Sequence, residues 1–297
     1  MLTDADLPPL FHAANGRSTE GQTWFLRAAR FRLFGVLGAA FFGLFTWKPG
    51  ISPVDWAGVL AASCFVVAIV VEAYLYQARP ERTWYEGRVA AESIKTLSWR
   101  YAIGGEPFNI GIYPELQVAN LFLAQLKGLF EVITDLDVLP PGPSGQQITQ
   151  PMRDVRALSL ADRKATYERG RVEDQEHWYH EKAAWNSRRA THWTRIMLAT
   201  EIMGVICGIL KAVGVIEGGV LGLAGAIVAT LTAWLQTKQH RTLATAYTIT
   251  AIELASVRSK IADQSNDADW AKFVSDAEEA FSREHTLWKA SRGVHSI

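Results

Sequence analysis

Four apolar stretches separated by charged segments dominate the pattern along this 297-residue chain. They are Leu33–Trp47, Ala57–Tyr76, Ile196–Ile216 and Gly219–Leu235. Crossing the hydrocarbon core of a bilayer takes roughly 20 apolar residues at 1.5 Å rise each. The second and third stretches reach that length, whereas the first and fourth reach it only with flanking residues. The pattern therefore predicts two transmembrane helical hairpins, each closed by a loop too short to hold a domain.

Basic residues lie on the same side of both hairpins. They are Arg27, Arg30, Arg32, Arg79, Arg82, Arg88, Arg188, Arg189, Arg195, Lys238 and Arg241. By the positive-inside rule, we expect both termini and the region between the hairpins in the cytoplasm. The alternative is that the stretches are buried core helices of a soluble protein. The charge asymmetry is repeated in two hairpins, which favours the membrane.

The remaining chain shows helical spacing and no strand period. Amphipathic or charged helices are predicted at Arg82–Tyr101, Glu115–Leu136, Leu160–Trp193, Leu243–Ile261 and Asp269–Lys289. The segments at Arg82–Tyr101 and Leu243–Ile261 are expected to continue spans two and four without a break. Residues 102–114, with three glycines and two prolines, interrupt the helical pattern. The expected fold is all-α: an integral membrane protein with two transmembrane helical hairpins and a cytoplasmic helical bundle.

The chain also has the layout of a duplication, in which each unit runs helix, hairpin, helix. We predict an irregular N-terminus at 1–23 and a first two-transmembrane unit at 24–138. A linker at 139–151, rich in proline and glycine, then leads to a second two-transmembrane unit at 152–297.

Small residues recur every four positions in three of the spans. Such rows let helix backbones approach closely in lipid, where no hydrophobic force drives association. The candidate packing positions are Gly35, Gly43, Gly204, Gly208, Gly218 and Gly222. The alternative is that glycine is simply common in membrane helices.

Three ionisable residues fall within the spans: Glu72, Glu201 and Lys211. A charged side chain costs about 2.5–3.5 kcal/mol at the centre of the membrane on insertion scales, and less towards the interface. One hypothesis places Glu72 and Glu201 in an acidic layer of a water-filled pore, which would favour cations. The alternative pairs them with Arg32 and Arg195 and lets Lys211 extend towards the headgroups.

Composition narrows the function further. Thirty basic residues balance thirty acidic ones, so no basic excess indicates nucleic-acid binding. The two cysteines lie inside apolar spans and are typical of small hydrophobic residues. We find no catalytic or cofactor motif. His177 and His180, with nearby glutamates, leave open an alternative in which an enzyme works at the headgroup layer with a metal. We predict no enzyme, no cofactor and no metal.

The exit segment of the first hairpin resembles a known family. Its residues run from Arg79-Pro80 through Trp84-Tyr85-Glu86-Gly87-Arg88 to Trp99-Arg100-Tyr101 and Gly105-Glu106-Pro107-Phe108. Together with the tail, from Phe273-Val274 through Ser282-Arg283-Glu284-His285 to Trp288, they resemble the SLATT family, the SMODS- and SLOG-associating two-transmembrane effector domain. The chain is identified as two tandem copies.

The resemblance implies a bacterial inner-membrane effector of conflict or anti-phage systems that opens a pore after a nucleotide signal. A nucleotide-synthase or nucleotide-sensor protein is the implied partner, beside membrane lipid and further copies of the chain in a homo-oligomer. No catalytic residues carry over. We expect gating through the helices that leave the hairpins, with candidate residues Arg82, Trp84, Glu86, Arg88 and Arg241. The rival interpretation is a non-conducting membrane-anchored scaffold or sensor.

Overall fold

The structure is a computed structural model that describes the backbone of residues 2–51, 53–132, 146–216 and 219–291. Side chains are described within these ranges except at 130–132, 280 and 282–291. In these ranges the chain forms α-helices and no β-strand, which confirms the all-α prediction. The helices are α1 (Pro9–Phe42), α2 (Trp56–Ala78), α3 (Pro80–Ile103), α4 (Glu115–Val132), α5 (Gln150–Arg156), α6 (Leu160–Tyr167), α7 (Asp174–Ala212), α8 (Val220–Lys238), α9 (His240–Ser259) and α10 (Asp267–Ser291). A π-helix, Glu168–Glu173, joins α6 to α7.

The helices form two compact units. Unit 1 comprises Met1–Gln22, Glu81–Ala183 and Thr245–Ile297, and unit 2 comprises Thr23–Pro80 and Ala184–Ala244. Unit 2 therefore contains the four apolar stretches. Unit 1 is assembled from three separate segments of sequence, with the second and third following the two hairpins.

The prediction that residues 1–23 are irregular is wrong from Pro9 onwards. Helix α1 begins at Pro9, where the fixed φ of proline suits the first helical turn. Leu10, Phe11, Ala14 and Ser18 recur at helical spacing and are buried in unit 1. This apolar face is short and stands among polar residues, so the burial that stabilises it depends on partners distant in sequence.

Aromatic side chains fill the core of unit 1. Trp99, Phe108, Phe122, Tyr167 and Trp270 are fully buried. The ring of Tyr167 lies edge-on to Trp99 and Trp270, with centroids 6.0 and 5.7 Å apart. Such pairs contribute about 0.5–1.5 kcal/mol beyond the area that they bury. The core thus joins α3, α6 and α10.

Helix α3 ends at Ile103, in agreement with the break predicted at 102–114. Gly104 takes a φ of 77°, which the absence of a Cβ permits. The carbonyl of Ile103 accepts hydrogen bonds from Arg163 Nη1 and Trp270 Nε1, each at 2.9 Å. These donors satisfy and partly neutralise the negative end of the helix.

Other helices predicted outside the apolar stretches also begin and end close to their predicted bounds. Helix α4 covers the described part of the predicted Glu115–Leu136, and α9 and α10 correspond to the predicted Leu243–Ile261 and Asp269–Lys289. Residues 133–136 and most of the predicted linker lie outside the described residues. Helix α5 begins at Gln150, inside that linker, where the side chain of Thr149 accepts from Met152 N–H at 3.4 Å.

Candidate functional site

Three helical runs leave their apolar surface uncovered. Among the described residues, Trp56–Ile103, Leu160–Ala212 and Val220–Ser259 are long and apolar enough to cross a membrane. In their most apolar 18-residue windows, 6%, 0% and 0% of the residues are buried. Soluble monomers rarely expose continuous apolar surface of this extent. The surface therefore faces lipid or further protein, and the alternative of buried core helices is excluded for these three runs.

The first predicted span is shorter than expected. Leu33–Trp47 was predicted as a span, but α1 ends at Phe42, and the ten residues 33–42 extend only about 15 Å. The chain then turns, and Asp55 Oδ1 accepts from Trp47 N–H at 2.8 Å and from Ala57 N–H at 3.1 Å. The amide of Trp47 is thereby withdrawn from any continuing helix. These amide hydrogen bonds, that of Trp47 above all, lower the pKa of the Asp55 carboxyl group.

The contact between α1 and α2 depends on a glycine. A Cβ placed on Gly35 would lie 2.9 Å from the carbonyl oxygen of Cys64 and 3.2 Å from the Cβ of Ala68. Gly38 also faces Cys64, since a Cβ there would lie 2.9 Å from its Sγ atom. The two backbones therefore approach within a distance that only glycine allows, as small residues do in membrane helices.

The other predicted packing glycines differ among themselves. A Cβ on Gly204 or Gly208 would make ordinary contacts with α8, at 3.8 Å from Ala224 and 3.7 Å from Leu221. A Cβ on Gly222 would meet nothing within 4 Å, and one on Gly43 would meet the carbonyls of the preceding turn. Gly218 lies outside the described residues. A role for Gly222 in packing against a second chain stays a prediction.

The three ionisable span residues have different surroundings. Arg32 Nη1 donates to Glu72 Oε2 at 2.6 Å, with 36% and 59% of the two side chains exposed. Glu201 and Lys211 are exposed, and within the described part of the chain neither belongs to an ion pair. Glu72 therefore has the arginine partner that one interpretation gave it. A shared acidic layer of Glu72 and Glu201 stays a prediction.

Left-handed residues interrupt the path from the spans to the following helices, so the prediction of unbroken helices is wrong. Arg79 has φ 42° and ψ 50°, and Gln239 has φ 49° and ψ 37°. Proline disfavours the α conformation in the residue before it, which explains the break ahead of Pro80. No such local signal precedes His240. A non-glycine residue in this conformation costs about 1–2 kcal/mol, so surrounding contacts must hold both junctions.

Near the second junction, His240 is buried against α7. Its Nδ1 lies 2.8 Å from Asn186 Oδ1, and its ring packs edge-on to Trp185 at 5.4 Å. The amide oxygen only accepts, which places the proton on Nδ1. Desolvation, assisted by the positive charges of Lys238 and Arg189, lowers the pKa of His240. The ring is thus held neutral as a hydrogen-bond donor.

The candidate gating residues of α3 are held within unit 1. Arg82 pairs with Glu86 at 2.6 Å and Arg88 with Glu92 at 3.1 Å. The carbonyl of Trp84 accepts from Ser18 Oγ at 3.1 Å. A Cβ on Gly87 would lie 2.8 Å from the backbone nitrogen of Ser18, so α3 lies directly against α1. Arg241, the fifth candidate, is exposed in unit 2.

A buried ion pair, missed by the sequence analysis, links three parts of unit 1. Arg171 donates from Nε to Glu278 Oε1 at 3.0 Å and from Nη2 to Oε2 at 2.8 Å. Tyr167 and Thr96 donate their hydroxyls to the same carboxylate at 3.0 and 2.9 Å. Only 2% of Arg171 and 0% of Glu278 is exposed. Burial, with the negative charge of Glu278 beside the hydroxyl, raises the pKa of Tyr167 well above its usual value.

Two further buried arginines precede Arg171 in the sequence. Arg156, Arg163 and Arg171 are seven and eight residues apart, but they lie on α5, on α6 and on the π-helix, so they do not share one continuous helical face. All three are buried, although arginine almost never is unless it is paired. Each has a carboxylate partner: Glu115 for Arg156, Asp267 for Arg163 and Glu278 for Arg171.

Family comparisons divide the chain into two matched ranges. The family described as SMODS and SLOG-associating 2TM effector domain 3 matches residues 8–164, and effector domain 1 of the same series matches residues 167–288. The chain belongs to the SLATT family. Its two SLATT domains lie in tandem, as predicted. No curated protein and no solved structure matches the chain.

The two SLATT domains share unit 1. The matched ranges meet at 164–167, inside α6, and Thr96 of the first domain contacts Glu278 of the second.

The structure gives no support to the alternative in which His177 and His180 bind a metal. His177 lies 3.3 Å from Glu181 on an exposed face, and the described residues hold no group of three metal-ligating side chains. The SLATT assignment and the uncovered helices together make this a membrane protein of an effector family associated with conflict systems.

Proposed function

We propose that this chain is the membrane effector of a bacterial conflict or anti-phage system, and that its homo-oligomer forms a gated pore in the inner membrane. The observation that carries the proposal is the uncovered apolar surface of three long helical runs. A single chain leaves that surface exposed, so lipid and neighbouring copies are the partners that fit it. The description of the family as an effector domain supports a damaging rather than a metabolic role.

Orientation follows from charge. The arginines that precede and follow the apolar stretches belong in the cytoplasm by the positive-inside rule. Unit 1 and both termini then lie in the cytoplasm, where a nucleotide-synthase or nucleotide-sensor protein can reach them. In this proposal the trigger acts on unit 1, and it shifts the equilibrium only by its different affinity for the closed and open states.

The junctions at Arg79 and Gln239 supply a mechanism for gating. Each joins a span to a helix of the soluble part through one left-handed residue. Straightening a junction would release the cost of that conformation, about 1–2 kcal/mol per residue. Pro80 opposes the straight form at the first junction, because proline inside a helix costs about 3 kcal/mol or more. Pro80→Ala should therefore favour the straight form, and in this proposal the open one.

The test is ion flux from liposomes that contain the purified full-length chain. We expect Pro80→Ala to release potassium faster than the wild type, whereas Pro53→Ala, which removes a proline from the exposed loop between α1 and α2, leaves flux unchanged. In cells, Pro80→Ala should depolarise the membrane in a potential-sensitive dye assay at equal membrane abundance. Flux equal to that of empty liposomes for the wild type and both variants would refute the pore.

The second candidate function is a membrane anchor that conducts no ions. The ion pair between Arg32 and Glu72 favours it, because a neutralised Glu72 contributes less negative charge to the acidic layer that a cation pore would use. The two candidates differ at Glu201, which belongs to no ion pair in the described residues. A pore lined by Glu201 would lose cation preference in Glu201→Gln, measured as a change in reversal potential. A membrane anchor would show no conductance in the wild type or in Glu201→Gln.

A further inference from the structure

An apolar groove with one basic side chain lies between α1 and α2 inside unit 2. Its volume is about 600 Å³, within the roughly 300–1,000 Å³ typical of small-molecule sites. Trp24 and Phe31 line it from α1, and Val70 and Tyr74 line it from α2. Arg27 is the charged residue in its wall.

Arg27 differs from the other two arginines ahead of the first apolar stretch. Arg30 stacks over the ring of Trp234 at 5.3 Å, and Arg32 pairs with Glu72. Arg27 lies over Trp24 at 5.7 Å, and within the described part of the chain no carboxylate pairs with it. Its guanidinium is exposed, so its donors remain available to an anion that can bind them in a bidentate manner, as phosphate does.

The groove also lies at the depth where lipid headgroups are expected. Tyr74 is one turn from the end of α2, and Trp24 lies before the apolar part of α1. Tryptophan and tyrosine concentrate at this level of a bilayer. Arg27 precedes Phe31 by one helical turn, about 6 Å. A ligand that reaches both therefore needs an anionic group joined directly to an apolar chain.

We propose that this groove binds one anionic glycerophospholipid, with the phosphate on Arg27 and an acyl chain along Phe31 and Val70. Charge complementarity selects the headgroup, because the groove presents one guanidinium without a carboxylate. The aromatic and aliphatic wall selects a lipid over free phosphate. The site does not depend on pore formation, since an anchor would hold the same groove.

The test uses quenching of Trp24 fluorescence by brominated acyl chains in nanodiscs that hold the full-length chain. The sequence has 11 tryptophans, so the Trp24 contribution is the difference between wild type and Trp24→Phe. Brominated phosphatidylglycerol is compared with brominated phosphatidylcholine over a range of mole fractions. We expect half-quenching at about fivefold lower phosphatidylglycerol, because one basic side chain near anionic lipid contributes about 1 kcal/mol.

Arg27→Gln should abolish that preference, and Arg27→Lys, which keeps the charge, should retain most of it. Arg195→Gln is the matched control, since Arg195 is an exposed arginine that directly precedes the third apolar stretch. Inorganic phosphate should not displace the lipid.

Three results would overturn the proposal. Equal loss in Arg27→Gln and Arg195→Gln would assign the preference to general surface charge, and an unchanged preference in Arg27→Gln would exclude the site. Absence of Trp24-dependent quenching by either lipid would mean that protein, such as a second copy, covers the groove.

Discussion

Removing the negative charge of Glu278 should open unit 1 locally. In Glu278→Gln the buried guanidinium of Arg171 loses its counter-ion, and the amide group of glutamine adds a donor where donors already converge. Four hydrogen bonds now reach the carboxylate, from Arg171, Tyr167 and Thr96. Breaking a buried pair by removing one partner costs about 3–5 kcal/mol. We expect a loss of that size in the stability of α10.

Hydrogen exchange of α10 amides in the intact protein measures this loss, because exchange reports the free energy of local opening. Peptides from 267–279 are compared between wild type and variant. The matched control is Glu181→Gln, which removes the exposed partner of His177 and should change exchange by less than about 0.5 kcal/mol.

A double variant separates lost attraction from stranded charge. Arg171→Met in the Glu278→Gln background removes the buried cation, and glutamine can still bind Tyr167 and Thr96. The double variant should therefore be more stable than Glu278→Gln alone, with a coupling of about 2–3 kcal/mol. Additive effects, or a single-variant loss below about 1 kcal/mol, would refute the proposed role of this pair.

Three further predictions concern unit 2 and its stability in detergent, measured by thermal denaturation. Gly35→Ala should destabilise the chain by about 1–3 kcal/mol through overpacking against Cys64, whereas Gly225→Ala, where a Cβ would meet nothing within 4 Å, should not. Asp55→Ala should lower the denaturation midpoint through loss of the α2 cap, and an unchanged midpoint would contradict that role. The lowered pKa of His240 means that the unfolded chain binds more protons below about pH 6.5. The contribution of His240 to stability should therefore be fully present above that pH and be lost as the pH falls. His240→Gln should reduce the slope of stability against pH, and a slope equal to that of the wild type would contradict the prediction.

Local patterns predicted most of the helices. The apolar runs of α2, α7 and α8 and the amphipathic spacing of α3, α4 and α10 depend on nearby residues alone. The helical start of α1 was missed because its short apolar face gains stability only from burial in unit 1. The apolar part of α1 was overestimated because α1 ends at Phe42, and Trp47 N–H then donates to Asp55, eight residues away, instead of to a helical carbonyl.

Long-range pairing limited the prediction of the site. Arg171 and Glu278 are 107 residues apart, and nothing near either residue identifies the other. Arg32 as a partner for Glu72, 40 residues away, was one of two open interpretations because both lie at similar depth. Pro80 marks the first junction in the sequence, whereas Gln239 carries no local mark and depends on the contacts around it.

The three-segment construction of unit 1 imposes an order on its biosynthesis. A ribosome makes Arg171 before α7 and α8, and it makes Glu278 only after both have emerged. Until then Arg171 lacks its partner Glu278, and the interior around Trp99 and Tyr167 lacks the α10 residue Trp270. A chain whose translation stops between the second hairpin and α10 would therefore keep an incomplete interior in unit 1.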